Sequence, residues 1–107
     1  NTTAIENTAV GASALMDNTT GHSNVAVGRM ALGNNTTASG NTALGTDAMF
    51  TSTTGADNTS VGHNSMFANT TGSDNVAVGA YSLDANTTGT RNTAVGDQSL
   101  SSNIDGE

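Results

Sequence analysis

The chain repeats one 17-residue unit from Asn7 onward without an insertion or a deletion. Each unit opens with N-T-A-V-G or a close variant, carries Leu or Met at its ninth position, and continues into an N-T-T-G stretch or a variant of it. A solenoid requires such constancy, because each coil must lie in register on the one before it. A disordered polar tract has no physical reason to hold one period. The units start at Asn7, Asn24, Asn41, Asn58, Asn75 and Asn92.

Residues 1–107 therefore form a single repeat array, in which residues 1–6 are the tail of a preceding unit. The chain begins and ends in repeat phase. Terminal repeats that cap a solenoid usually differ from the others. We therefore expect this array to be part of a longer one.

The repeat has the composition of short strands and turns. Glycine at the fifth position and usually at the fifteenth, together with several β-branched residues, disfavours a helix. N-T-A-V-G is typical of a short strand in which Thr8 and Val10 share one face and Ala9 lies on the other. The N-T-T-G stretch is typical of a turn. The sequence thus predicts an all-β fold, a β-solenoid with one coil per 17-residue repeat.

The core predicted for such a coil is thin. Only three residues of the chain are aromatic, and each coil offers a Val or Leu at position 4 and a Leu or Met at position 9. Ordering a residue costs about 1–2 kcal/mol of backbone entropy. The Ala or Ser column from Ala9 to Ala94 lies on the strand face opposite Val10, where small side chains let another chain approach closely. We expect a homo-oligomer, with a trimer as the preferred closed symmetry.

The N-T-A-V-G and N-V-A-V-G units, each followed by a small residue, a Leu and a Gly turn, resemble the head repeats of trimeric autotransporter adhesins. They are also similar to the Asn-Thr-Ala-Val-Gly arrays of phage tail-fibre-like proteins. The resemblance implies a left-handed β-roll with three chains packed side by side. Typical adhesin-head units are shorter than this repeat and carry an additional apolar residue in the strand.

These features predict a structural or adhesive fibre segment that is extracellular, on a cell surface or on a virion. Repetition sets the length of such a fibre, and register gives it stiffness. Its partners would be further copies of the chain and a host-surface or matrix ligand. The sixth position varies between units and is free to carry specificity. Its residues are Ala12, Arg29, Thr46, His63, Ala80 and Asp97.

The asparagines and glycines that recur in every unit predict a structural ladder. Stacked asparagines form amide ladders in cross-β structures, and the same amides satisfy backbone groups at corners. The ladder residues are Asn7, Asn24, Asn41, Asn58, Asn75 and Asn92 at position 1, and Gly11, Gly28, Gly45, Gly62, Gly79 and Gly96 at position 5.

An alternative function is ice- or surface-lattice binding through the N-x-T pattern. If Asn18 and Thr20 share an outward face, their equivalents form a flat, regular lattice. Ser52 interrupts this pattern, and Ile104 and Asp105 end it. The same pattern also matches N-glycosylation acceptors. The asparagines concerned are Asn1, Asn18, Asn35, Asn69 and Asn86.

Charge and composition exclude several classes of function. The net charge is −7, with Arg29 and Arg91 the only basic residues, so the chain lacks the cations that neutralise nucleic-acid phosphates. No apolar run has the length of a membrane span, so we expect no membrane insertion. Cysteine is absent, and His22 and His63 fall at different repeat positions. We therefore predict neither catalysis nor a cofactor.

The acidic side chains leave one metal hypothesis open. Asp57 and Asp74 occupy position 17 of successive units and could share a cation, with Arg91 next in the same column. Calcium loops need several oxygen ligands at fixed spacing, and the nonapeptide of calcium-binding β-rolls is missing. We therefore predict no metal site and expect Arg91 to form a surface pair with Asp74.

Overall fold

Six three-residue strands form one parallel sheet, in the order β1 to β6. The computed structural model describes residues 3–107, so Asn1 and Thr2 lie outside the description. Each strand pairs with the equivalent strand of the next unit, as Val10 does with Val27. The fold is an all-β parallel solenoid with one coil per repeat, as the sequence predicts. The strands are β1 (Thr8–Val10), β2 (Val25–Val27), β3 (Thr42–Leu44), β4 (Thr59–Val61), β5 (Val76–Val78) and β6 (Thr93–Val95).

Hydrogen bonds between coils continue beyond the strands. The Leu15 N–H donates to the Ala31 carbonyl with an N···O distance of 3.0 Å, and the Thr19 N–H donates to the Thr36 carbonyl at 2.9 Å. Bonding around so much of the coil opposes any slip of register. The resulting rod measures 35 × 22 × 16 Å. Residues 3–107 contain no helix, and so none long and apolar enough to cross a membrane.

The apolar core is a narrow strip enclosed by the coils. Counting positions from the asparagine that starts each unit, position 9 supplies its largest members, from Leu32 to Leu83, which have no solvent exposure. Alanine or serine at positions 3 and 8 fills the remaining space, as Ala26 and Ala31 do in the second unit. The core is thus thin, as expected, and it contains the position-9 residues, as expected, but not the position-4 residues.

Side chains alternate across each strand as predicted, but the inner face is the opposite of the expected one. Ala26 and Ala77 are fully buried, whereas Val10 is 56% exposed and Val95 is 69% exposed. The expectations that the position-4 valines fill the core, and that the Ala column faces another chain, are therefore wrong. The reason is space: each strand lies directly over the position-9 side chain, and only a methyl or hydroxymethyl group fits between them.

Left-handed residues mark the corners of every coil. The position-5 glycines have φ between 125° and 142°. Positive φ also recurs in non-glycine residues at positions 7, 9 and 17, which in the third unit are Asp47 (56°), Met49 (52°) and Asp57 (56°). This conformation costs about 1–2 kcal/mol in a residue such as methionine. Bonding to the next coil offsets it, since the Met49 N–H donates to the Ser65 carbonyl at 3.0 Å.

Candidate functional site

The outward side chains of the sheet form a flat, uncharged surface, which we call the outer sheet face. It consists of the position-2 and position-4 residues of all six strands. Neighbouring coils are about 4.8 Å apart, and the two columns within a strand are about 7 Å apart. Every member is Thr, Val or Leu. The columns are Thr8, Val25, Thr42, Thr59, Val76 and Thr93, and Val10, Val27, Leu44, Val61, Val78 and Val95.

Much of this face is open to solvent although eight of its twelve side chains are Val or Leu. Val25, Leu44 and Val78 are among the exposed large hydrophobic side chains, as are the terminal Val10 and Val95. A contiguous exposed apolar patch is typical of an interaction surface, whereas single exposed apolar residues need no explanation. The outer sheet face is therefore the surface of this rod best suited to contact a partner.

The asparagines that start the units line the inside of the solenoid and bond the coils together. The Oδ1 of each accepts a hydrogen bond from the backbone N–H of the asparagine that starts the next unit, at 2.9 Å in every step. The Nδ2 donates to the carbonyl at position 15 of its own unit, as Asn24 does to Ala38 at 2.9 Å. Direct amide–amide bonds are added in later units, where Asn75 Nδ2 lies 3.1 Å from Asn58 Oδ1.

A second column of buried asparagines occupies position 12, and the sequence analysis did not identify it as part of the ladder. Asn86 Nδ2 donates to Asn69 Oδ1 at 2.9 Å. Both columns converge on the position-15 carbonyls, since Asn58 and Asn69 each donate to the Gly72 carbonyl at 2.9 Å. The interior is thus partly a network of amides, in which each bond replaces one that water would make. The buried members of this column are Asn18, Asn35, Asn69 and Asn86.

Ser52 interrupts the second column in the third unit. Its side chain has no amide to donate, and the Oδ1 of Asn35 is a buried acceptor without a hydrogen-bond partner. The Ser52 hydroxyl is also buried and unpaired. Unsatisfied buried polar atoms destabilise a fold by about 1–3 kcal/mol each. This position is therefore a local weakness in the array.

The N-x-T pattern does not form the outward lattice or the accessible acceptors considered above. Asn18 is fully buried, whereas Thr20 is exposed, so the two do not share a face. Burial of the position-12 asparagines also keeps their amides from reaching a glycosylation enzyme in the folded rod. The threonines at position 13 bond to the next coil, as Thr53 Oγ1 does to the Thr70 carbonyl at 3.2 Å. Asn1 lies outside the described residues.

The position-5 glycines lie against the same residue of the next coil. A Cβ added to Gly62 would lie 2.6 Å from the carbonyl carbon of Gly79 and would collide with the carbonyl oxygen. Because φ at Gly62 is also 138°, any other residue would be both crowded and strained there. These glycines let the coils approach closely at the end of each strand.

The ion pairs lie on the surface. Arg29 contacts Asp47 at 2.9 Å, and Arg91 contacts Glu107 at 2.6 Å. The expected pair of Arg91 with Asp74 is wrong, because Glu107 lies on the next coil and its side chain reaches the guanidinium. Such exposed pairs contribute little to stability. Within residues 3–107, no three His, Asp or Glu side chains gather closely enough to hold a metal ion.

The aromatic and imidazole rings pack in pairs on successive coils. Phe50 and Phe67 stack, with ring centroids 5.7 Å apart and an angle of 26° between the planes. The His63 ring packs edge-on against Tyr81 at 5.3 Å. His22 lies elsewhere, with its Nδ1 3.5 Å from the Ser23 hydroxyl. The two histidines therefore have separate surroundings.

No protein-family model, curated protein or solved structure matches the chain. What the coil can do chemically follows from its own geometry. Buried amides hold the coils in register, and the outer sheet face presents an uncharged surface that lengthens with every added coil.

Proposed function

We propose that the chain is a segment of a structural and adhesive fibre that lies outside the cell, on a cell surface or on a virion. The observation that supports this most is the uninterrupted bonding between coils: the same asparagine contacts recur every 17 residues from Asn7 to Asn92. With such bonding, length depends only on the number of coils, and the register stiffens the rod. The resemblance of the N-T-A-V-G units to adhesin head repeats supports the same function.

Adhesion would use the side chains that vary between otherwise equal coils. At position 6, Arg29, His63 and Asp97 are all exposed and differ in charge. A rod that keeps its backbone constant and changes these residues presents different chemistry at regular intervals. A host-surface or matrix molecule is the partner that suits such a surface.

Three copies would pack side by side through the outer sheet face, which takes the role first assigned to the alanine column. The face is apolar, uncharged and straight, so copies can meet without burying a charge. Closed three-fold packing leaves no apolar face exposed. The face of six coils measures only roughly 300 Å². A standard interface buries about 800 Å² per partner, so contact must accumulate over many coils.

A charge placed on the outer sheet face tests the trimer. Val61→Asp adds a carboxylate in the middle of the face, and Thr54→Asp adds the same charge at an exposed residue away from that face. The face of six coils is small, so analytical ultracentrifugation of the full chain is carried out up to the highest accessible concentration. It should there show a trimer for the native chain and for Thr54→Asp, and a folded monomer for Val61→Asp. A native chain that stays a folded monomer across the accessible concentrations, or forms only dimers, would contradict side-by-side packing in threes.

Imaging tests the fibre itself. An array of twelve units should form a rod about 29 Å longer than one of six, because each coil adds about 4.8 Å. Negative-stain electron microscopy of arrays of increasing length would measure this increment. Compact particles whose long axis does not grow with the number of units would contradict the fibre proposal.

Lattice binding is a second candidate function, now placed on the outer sheet face instead of the N-x-T stretch. Two straight columns of Thr, Val and Leu in constant register favour it. The same face cannot serve both a trimer and an ice surface. Thermal hysteresis in a solution of folded monomer, abolished by Val61→Asp and retained in Thr54→Asp, would support lattice binding over the trimer.

A further inference from the structure

A groove with a volume of about 260 Å³ lies on the surface of the rod and spans the fifth and sixth units. Its walls are the side chains at positions 7 and 10 of these two units. In the third and fourth units, position 10 carries Phe50 and Phe67, whose stacked rings occupy this side of the coil. The groove begins where the phenylalanine column ends. Its lining residues are Tyr81, Asp84, Gln98 and Ser101.

All four lining side chains have polar groups that the fold does not use. Among residues 3–107, the Tyr81 phenol, the Asp84 carboxylate, the Gln98 amide and the Ser101 hydroxyl make no hydrogen bond or ion pair. The Oδ1 of Asp84 is moreover shielded from solvent. Buried polar atoms in this rod are mostly paired, so the unpaired Asp84 oxygen is unusual, whereas Tyr81 and Gln98 are exposed and Ser101 is half-buried. A concave site with a few convergent polar groups is typical of a ligand site.

The backbone that carries the groove is held in place before any ligand arrives. The Tyr81 N–H donates to the His63 carbonyl and the Gln98 N–H to the Ala80 carbonyl, both at 2.9 Å. The Tyr81 ring is supported on one side by its edge-on contact with His63. Because the backbone is fixed by the solenoid, binding orders only the lining side chains.

We propose that this groove binds a neutral hexopyranose, as one unit of a surface glycan. Sugar hydroxyls both donate and accept hydrogen bonds, which suits an acceptor such as the Asp84 carboxylate next to the mixed groups of Gln98 and Ser101. The apolar C–H face of a pyranose suits the partly exposed ring of Tyr81. Pockets for drug-sized ligands measure roughly 300–1,000 Å³, so a groove of this volume suits a single small ring.

The charge of the site argues against other ligand classes. The chain carries a net charge of −7, and Asp97 adjoins Gln98, so an anionic sugar or a phosphate would be repelled. Calcium prefers six to eight oxygen ligands, usually with several carboxylates, and this groove offers one carboxylate. A neutral, hydroxyl-rich ring meets neither objection.

This inference rests on the adhesive part of the proposed function, and it names the ligand class. The groove shares no residue with the outer sheet face, so sugar binding and packing of copies can be measured separately. Each can fail while the other holds.

The test uses the full chain and the methyl glycosides of glucose, galactose, mannose and N-acetylglucosamine. Saturation-transfer NMR and titration should show that at least one binds with a Kd of about 1 mM or tighter. Asp84→Ala should weaken that binding about tenfold or more, because it removes a charged hydrogen-bond acceptor. Asp97→Ala makes the same charge change beside the groove and should leave the Kd unchanged. Asp84→Phe should extend the phenylalanine stack, fill the groove and abolish binding in a folded rod.

The opposite outcomes are equally clear. Absence of saturation transfer from all four glycosides, or equal weakening by Asp84→Ala and Asp97→Ala, would overturn the groove assignment. Retained sugar binding in a folded Asp84→Phe rod would also overturn it. Sedimentation of the same samples separates the two proposals: a trimer that binds no sugar refutes only the groove, and a monomer that binds sugar refutes only the packing of copies.

Discussion

At the residue scale, a buried asparagine is stable in this rod because both halves of its amide are bonded. Asn58 Oδ1 accepts from the Asn75 N–H at 2.9 Å, and Asn58 Nδ2 donates to the Gly72 carbonyl at 2.9 Å. A leucine of similar volume would leave both backbone groups unpaired inside the coil. The buried serines follow the same rule, since Ser60 Oγ donates to the Ser65 carbonyl at 2.9 Å. Ser52 is the exception, and it identifies a position where stability can be gained.

Ser52→Asn should therefore stabilise the array. The new amide would donate to Asn35 Oδ1, which is now unpaired, and its oxygen would accept from Asn69, restoring the column across the third unit. We expect the free energy of unfolding to rise by about 1–3 kcal/mol, as measured by urea denaturation. The control is Ser102→Asn, at an exposed position, which should change stability by less than about 0.5 kcal/mol. Equal effects of the two substitutions would contradict the amide-column explanation.

At the scale of the element, each strand is short and depends on the corner that follows it. The position-5 glycine ends the strand, adopts positive φ and touches the next coil. The demand for positive φ and the demand for close contact can be separated at Gly96. This residue has a φ of 126°, but the nearest atom to an added Cβ is Ser99 Cβ at 3.9 Å, so no coil crowds it. Gly62 has both the positive φ and the close contact with Gly79.

Gly62→Ala should destabilise the rod more than Gly96→Ala does. Both substitutions strain the backbone by about 1–3 kcal/mol, but only the first drives a methyl group into the neighbouring coil. We expect Gly62→Ala to lower the free energy of unfolding by about 2–4 kcal/mol, with the difference from Gly96→Ala giving the contribution of the close contact. Thermal and urea unfolding of the two variants would measure it. Indistinguishable losses would show that φ alone requires glycine.

The repeat and its composition were enough to predict the solenoid, the coil length and the alternation along each strand. They could not predict which strand face lies inside, because T-A-V has a small residue on one side and a β-branched residue on the other. In the folded coil the small residue packs in one cluster with the position-9 side chains, and only the structure shows this packing. The second asparagine column was mistaken for a surface motif. Position 12 carries asparagine in nearly every unit, three residues before a small residue at position 15. This regularity was the signal from which the column could have been identified.

The groove at Tyr81 could not be predicted for a different reason. Its walls come from positions 7 and 10 of two successive units, and neither position is regular along the chain. The 17-residue period places Asp84 and Ser101 after Phe67 in one column, but only the structure shows a groove between positions 7 and 10. Irregular positions are where a repeat protein can place specific chemistry, since the regular ones are used to hold the coils together.

At the scale of the whole molecule, the proposed packing through the outer sheet face would link the length of the rod to its assembly. Loss of translational and rotational freedom on association is incurred once per chain, whereas contact area is added with every coil. Six coils offer roughly 300 Å², which is small beside the interfaces of stable oligomers. A fibre built this way gains stability in its assembly by growing longer, without any change in sequence between coils.

The affinity between copies should therefore rise steeply with the number of units. An array of twelve units doubles the apolar face, so it should form trimers at chain concentrations at least about a hundredfold lower than the array of six, since about 1.4 kcal/mol corresponds to a factor of ten. Sedimentation over a dilution series of both lengths would measure the shift. Val61→Asp should abolish trimers of the shorter array. In the longer array the same substitution, repeated at the equivalent position of each added unit, should also abolish them. If native arrays of both lengths dissociate at the same concentration, the interface does not run along the rod, and the outer sheet face is not where the copies meet.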